Sequence, residues 1–284
     1  MTALAFIKMH GLGNDFVILD GRDGSLNLSQ DVVRAISDRR SGVGCDQLII
    51  LEPTHEPSAD VFMRIYNPDG SQSGACGNAT RCVASLIMKE TGESHVIVET
   101  LSGLLDCENI GDGLYRVDMG PVRQDWRDLP LSEARDTENI DVEAGPLKNA
   151  VGVNVGNPHA VFIVNDAEAV DLETFGPVIE THPLFPERTN VEAVQVLNRS
   201  RIRMRVWERG AGITRACGSG ACAALVATAR RGFTDRKADV VLDGGILSIE
   251  WLPDNTVSMT GPVAASFSGI IDPSLLPPVR GDDA

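Results

Sequence analysis

The chain has 284 residues, 43% of them apolar, with 28 glycines and 15 prolines, the composition of a turn-rich globular protein with room for two domains of ordinary size. A formal net charge of −15 argues against nucleic acid or an acidic membrane surface as a partner, though not against a small anion held by a few placed donors. No apolar run is long enough to span a bilayer, the first residues lack a secretion-signal pattern, and six cysteines without a C-x-x-C pair fit neither a disulfide scaffold nor a zinc ribbon, so the expectation is a cytoplasmic protein with reduced thiols and no membrane segment.

In chain order, "LAFIKMH" (4–10) and "DFVILD" (15–20) read as short strands joined by the Gly-rich "GLGN". "DQLIILE" (46–52), "DVFMRIYN" (60–67), "SHVIVETLSG" (94–103) and "LYRVDMG" (114–120) continue the strand pattern. Between them, "GNATRCVASLIMKETG" (77–92) predicts a helix: Ala79, Cys82, Val83, Leu86 and Ile87 follow a helical stripe, and Gly92 is the stop. The acidic, Pro-containing stretch 121–150 reads as a junction. Beyond it, "AVFIV" (160–164), "AVQVLN" (193–198), "RIRMRVWE" (201–208), "ADVVLD" (238–243) and "ILSIEW" (246–251) are strands. "GSGACAALVATARRG" (218–232) is a second helix, closed by Arg230, Arg231 and Gly232. "DPSLLPPVRGDDA" (272–284) reads as a loose tail.

The two halves resemble each other. Residues 61–82 lie over 202–223 without a gap at an offset of 141, matching Met63, Arg64, Ala75, Cys76 and Gly77 to Met204, Arg205, Ala216, Cys217 and Gly218. Upstream, "GNDFVIL" (13–19) matches "GNPHAVF" (156–162) at an offset of 143, which pairs Asn14 with Asn157 and Gln47 with Asn190. Two matches in the same order indicate a duplicated domain. The expected fold is α+β with two pseudo-symmetric domains, 1–121 and 122–265, and a tail, 266–284, packing back on the first. Each helix is apolar on nearly all sides, so a sheet must wrap it.

Cys76 and Cys217 each open a helix, where N–H groups lack intrahelical partners and the dipole favours anions and thiolates. Each precedes a glycine that lets a ligand approach the backbone. If the duplicated helix ends meet, they aim donors at one carboxylate with a sulfur on either side. That is the requirement of stereoinversion beside a carboxylate: one thiolate removes the Cα proton, the other thiol returns one to the opposite face, and the N–H donors hold the charge that develops. No metal or cofactor is needed for this chemistry.

"MHGLGNDF", "NPDGSQSGACGNATRC", "VGNPHAVF", "HPLFPERTNVE" and "WERGAGITRACGSGACA" together resemble the diaminopimelate epimerase family from about residue 8 to residue 265. One departure is Ala79, where the family usually has glycine. The resemblance implies conversion of LL-2,6-diaminopimelate to the meso isomer in lysine and peptidoglycan-precursor synthesis, without pyridoxal phosphate. It implies two barrel-like domains, each a mixed, largely antiparallel sheet around a central helix, with the active site in the cleft between them and often a homodimer. It carries over Cys76 and Cys217 as the acid/base pair, with neither role fixed. Gly77, Asn78, Gly218 and Ser219 are expected to hold the reacting carboxylate. Arg209 is expected at a distal carboxylate, with Asn14, Gln47, Asn67, Asn157, Asn190 and Glu208 also around the ligand. His159 and Glu208 are expected to tune the thiols. Asn67 aligns with Glu208 and Pro68 with Arg209, an asymmetry that suits a substrate with a second charged end.

Cys82 and Cys222 read as core residues, Cys45 and Cys107 carry no assignment, and their spacing suits no common zinc arrangement. "GLGNDF" lacks the third glycine and the strand–turn–helix setting of a dinucleotide loop. The alternatives are another two-thiol racemase, for proline or hydroxyproline, and a non-catalytic thiol switch or anion-binding module.

Overall fold

The computed structural model describes residues 4–275. The elements in order are β1 (Leu4–Gly11), β2 (Asn14–Asp20), α1 (Gln30–Ser37), β3 (Gln47–Glu52), β4 (Val61–Tyr66), β5 (Gln72–Ser73), α2 (Gly77–Thr91), β6 (His95–Thr100), β7 (Gly103–Gly111), β8 (Leu114–Pro121), β9 (Ile140–Ala144), β10 (Leu147–Asn154), β11 (Pro158–Val164), α3 (Leu172–Glu180), β12 (Asn190–Asn198), β13 (Arg201–Glu208), β14 (Gly212–Ile213), α4 (Gly218–Arg230), β15 (Lys237–Leu242), β16 (Gly245–Trp251), β17 (Thr256–Pro262) and β18 (Ala264–Ile271). A 3-10 turn, Pro273–Leu275, follows. The part of the expected tail beyond residue 275 lies outside the described residues. No helix among the described residues is long and apolar enough to cross a membrane.

The chain divides into two compact α+β units. One runs to Asn109 and resumes at Val263; the other is Ile110–Pro262. In the first unit the strands pair in the order β18–β1–β2–β3–β4–β6–β7, with the short β5 on β4. In the second the order is β9–β10–β11–β12–β13–β15–β16–β17–β8, with β14 on β13. The parallel pairs are β2–β3 and β4–β6 in one, β11–β12 and β13–β15 in the other. The repeat extends to the register: Phe16 opposes Gln47 as His159 opposes Asn190. At the outer edge, β18 takes in the first unit the place that β9 takes in the second, with Leu4 opposite Ile271 as Leu147 is opposite Ala144.

The central helices follow from their sequences. α2 buries every residue from Gly77 to Ser85 and ends at Gly92, whose φ of 80° is left-handed, as the sequence predicts. α4 packs against β10, β11, β12, β13, β15, β16 and β17 of its own unit, which is why a run as apolar as Ala221–Ala227 is stable there. The strands facing these helices are correspondingly apolar: Met9 of β1 and Val96 and Val98 of β6 beside α2, and Val191, Ala193 and Val194 of β12 beside α4, are buried.

Two features differ from the sequence reading. The stretch read as a junction contains β9, in which Ile140, Val142 and Ala144 are buried while Asp141 and Glu143 are exposed; its acidic residues are the outward half of an alternating strand. α1 and α3 are short additional helices, each capped by a side chain: Ser29 accepts from the Val32 N–H, and Asp171 from the Thr174 N–H. As the sequence reading expects, "GLGN" closes as a hairpin, of two residues, with Leu12 (φ 57°) and Gly13 (φ 86°) both left-handed. Holding Leu12 there costs about 1–2 kcal/mol, and the turn sets Asn14 at the head of β2.

Candidate active site

Each expected site residue belongs to one of two clusters, one in each unit. In the first, Cys76 is the N-cap of α2, in extended conformation, and its carbonyl accepts the first helical bond from Thr80 N–H at 2.9 Å. In the second, Cys217 is the N-cap of α4, and its carbonyl accepts from Ala221 N–H at 3.0 Å. The two bonds are equivalent under the duplication. Gly77 and Asn78, and likewise Gly218 and Ser219, are the first two residues of their helices, where backbone N–H groups have no carbonyl one turn earlier. Ala79 is fully buried in the first turn, and α2 nonetheless begins at Gly77.

Around Cys76, Asn14 is the organising residue. Its Oδ1 accepts from Asn78 Nδ2 at 3.1 Å and lies 3.9 Å from Cys76 Sγ. Its Nδ2 donates to Asp46 Oδ2 at 3.0 Å. Arg39 bridges Asp46 and Asp15, and Lys8 pairs with Asp15 at 2.6 Å. Burial works against ionisation of Asp15, but the hydrogen bonds and charges of Arg39 and Lys8 hold its carboxyl well below the usual range. Arg81 Nη2 donates to Asn78 Oδ1 at 2.9 Å from a side chain with no exposed surface. Gln47 Nε2 donates to Asn67 Oδ1 at 3.2 Å, while Gln47 Oε1 is buried without a hydrogen-bond partner among the described residues.

Around Cys217 the charges acting on the sulfur are carboxyl groups. The sulfur accepts from Gly220 N–H at 3.4 Å and lies 3.6 Å from Ser219 Oγ. Burial pushes the thiol well above its ordinary range, and Glu208 and Glu192 add to the effect. The lowering expected of a thiol at a helix N-terminus is thus overturned here, because the sulfur is enclosed beside two carboxyl groups and desolvation outweighs the helix end. Glu208 accepts a short hydrogen bond from Thr214 Oγ1. Asn190 Oδ1 accepts from the Arg209 N–H at 2.9 Å, and Arg209 Nη1 donates to the Glu187 carbonyl at 3.0 Å. His159, fully buried, lies 2.6 Å from Glu192 Oε1 through Nδ1 and 2.9 Å from Asn157 Oδ1 through Nε2.

Lys8, Arg39 and Asp46 lie outside the matched motifs, and Asp15, Arg81 and Glu192 lie inside them without a role read for them. A signal exists for two of them. Arg81 is the one charge in Gly77–Met88, opposite Cys222 in the duplicate, and Glu192 interrupts an apolar strand, opposite Ile49. Cys82 and Cys222 are fully buried in the helices, as expected of core residues. Cys45 and Cys107 are also buried, Cys45 against Ser37.

Solved structures with this fold define the class. A PhzF-family phenazine biosynthesis protein of Bacillus anthracis matches with a TM-score of 0.69 at 15% identity, over 96% of this chain and 100% of that one. A hydroxyproline epimerase of Agrobacterium vitis, with trans-4-hydroxy-L-proline bound, matches with a TM-score of 0.67 at 15% identity, over 96% of this chain and 94% of that one. The fold is the one shared by PhzF-like and proline-racemase-like proteins. Sequence narrows this further. The profile of the diaminopimelate epimerase family matches residues 6–124 and 151–265. The diaminopimelate epimerase of Rhodospirillum centenum is 62% identical over 272 residues, covering 96% of this chain and 94% of that one, and that of Acidiphilium cryptum is 50% identical over 277 residues, covering 98% and 99%. The chain belongs to the diaminopimelate epimerase family, and it is an isomerase.

Proposed function

We propose that the protein interconverts LL-2,6-diaminopimelate and its meso isomer by moving a proton at one Cα between Cys76 and Cys217, with no cofactor. The observation that carries this reading is the equivalence of the two thiols: both are N-caps of the duplicated central helices, with matched first helical bonds.

Burial of Cys217 beside Glu208 and Glu192 favours its neutral thiol, which makes it the donor when Cys76 starts as thiolate. Cys76 Sγ takes the Cα proton as S–H, and the bonding pair passes into the carboxylate as an enediolate. Cys217 S–H then protonates the other face of Cα and is left as thiolate. The thiol and thiolate have exchanged places, so the reverse reaction starts from the product state. N–H groups at the heads of α2 and α4 hold the reacting carboxylate and gain most as its charge grows.

Arg209 supplies a two-pronged cation for the distal carboxylate. Gln47 Oε1, an acceptor left open, suits an ammonium group. Asn14, Asn67, Asn157 and Asn190 bind through neutral hydrogen bonds. The test is incubation with LL-diaminopimelate in D2O without added cofactor. The expected product is meso isomer with deuterium at the inverted Cα; L-proline in parallel should stay unexchanged. Absence of Cα exchange with diaminopimelate would defeat the proposal.

A further inference from the structure

We propose that Glu192 is a positioning residue for the Cys217 cluster: through a proton shared with His159 Nδ1, its carboxyl locks the imidazole so that Nε2 donates to Asn157 and turns the Asn157 amide N–H groups away from the histidine, toward ligand. The inference rests on the functional reading above for the role of Asn157.

Glu192 is in β12 opposite Val161, and His159 is in β11 opposite Asn190. Residues two apart on paired strands share a face, so His159, Asn190 and Glu192 line the same side, and both strands pack against α4. His159 and Glu192 have no exposed surface. Glu192 Oε1 lies 2.6 Å from Nδ1, while Oε2 has no hydrogen-bond partner among the described residues. A buried carboxylate with an empty oxygen is costly; a carboxylic acid that donates through its other oxygen is far less so.

The other side of the ring fixes the count of protons. Asn157 Oδ1, 2.9 Å from Nε2, can only accept, so Nε2 carries hydrogen. A neutral imidazole then accepts at Nδ1, and the hydrogen in the 2.6 Å contact belongs to Glu192. If that hydrogen crosses to Nδ1, the result is an ion pair of the same total charge. In both forms Nε2–H remains on Asn157.

Charged or titratable groups that act on Glu192 are His159 from β11 and Glu208 from β13, and Cys217 lies at the head of α4. Gly220 shows how closely they pack. A Cβ there would stand 3.0 Å from Glu192 Oε1 and 3.2 Å from Cys217 Sγ, so carboxyl and sulfur rest on one glycine. The first unit has no counterpart of this device. Phe16 and Ile49 occupy the positions equivalent to His159 and Glu192, and Asn14 is instead oriented by Asp46 and Asn78.

The experiment uses the full chain with 15N-labelled histidine, the His159 signals being assigned by loss in His159→Gln. The unsubstituted protein should show a protonated Nε2 and an Nδ1 in a strong hydrogen bond; a bare Nε2 overturns the proposal without any variant at Glu192. Glu192→Ile, which copies the first unit, should mix the His159 tautomers and lower kcat/KM about tenfold or more. Glu192→Gln can still donate to Nδ1 and should restore both the spectrum and kcat/KM to within about threefold. A folded Glu192→Ile protein with an unchanged His159 spectrum, or with kcat/KM unchanged, overturns the assignment. If the unsubstituted protein fails to exchange Cα hydrogen, the functional reading falls, and the spectra still decide the role of Glu192.

Discussion

Arg81 and Asn78 are joined within the first turns of α2: Nη2 of a guanidinium with no exposed surface donates to Asn78 Oδ1 at 2.9 Å. That bond directs the Asn78 amide N–H to Asn14 Oδ1, the oxygen beside Cys76. Lysine has no planar fork with which to reproduce it. Arg81→Lys is expected to lower kcat/KM about tenfold or more and to cost about 1–3 kcal/mol of stability. Steady-state kinetics and urea unfolding check both; unaltered kinetics would remove Arg81 from the support of the site.

Loss of either thiol should stop inversion. Cys76→Ala and Cys217→Ala are each expected to reduce epimerisation by about 10²–10⁴-fold with circular dichroism unchanged. Full turnover by either variant would defeat the two-thiol mechanism.

The buried thiols make stability fall at alkaline pH. Burial pushes Cys217 well up, Cys82 up to about 12, and Cys107 up as well. An unfolded chain releases these protons near about 8.5, whereas the folded protein keeps them. The folded state therefore binds more protons above that point, and stability that is full below it declines as pH rises, by up to about 1.4 kcal/mol per pH unit for each thiol. Melting temperatures at about pH 8 and about pH 10 should differ by less in Cys82→Ala than in the unsubstituted protein. Equal differences would show that Cys82 holds no such proton.

Ile271, 2% exposed, packs in the core of the first unit with Phe6, Leu19 and Tyr66, although it belongs to the last strand. Ile271→Ala should cost about 2–5 kcal/mol through the cavity it leaves. Denaturant unfolding measures this; a loss of only a few tenths of a kcal/mol would mean that β18 is peripheral to that core.

The duplication was legible because the offsets of 143 and 141 are real structural registers. Their difference is the longer connection between β3 and β4, compared with the tight hairpin that joins β12 to β13. The helix starts at Gly77 and Gly218 were legible because a glycine and a short polar residue, Gly77-Asn78 and Gly218-Ser219, open each apolar run. The support of the site was not. Glu192 finds His159 33 residues away, and Arg81 finds its role only because the sheet encloses α2. The pKa of Cys217 is raised first by burial and then by carboxyl groups from two strands, which no local pattern around "ACGSG" records. The tail from residue 266 was expected to pack back on the first half, but not as a strand: residues 264–268 are exposed, so β18 shows little apolar alternation.

The place of β18 has a consequence for biogenesis. All of Ile110–Pro262 is available to a nascent chain before its partner strand for β1 has been made, because that strand begins at Ala264. Ile110–Pro262 can therefore complete its sheet from one continuous stretch of chain, while the amino-terminal segment keeps one edge unclosed until β18 is supplied. A released chain ending at residue 262 should resist protease across Ile110–Pro262 and be cut within the earlier segment; the opposite pattern would refute this dependence on β18.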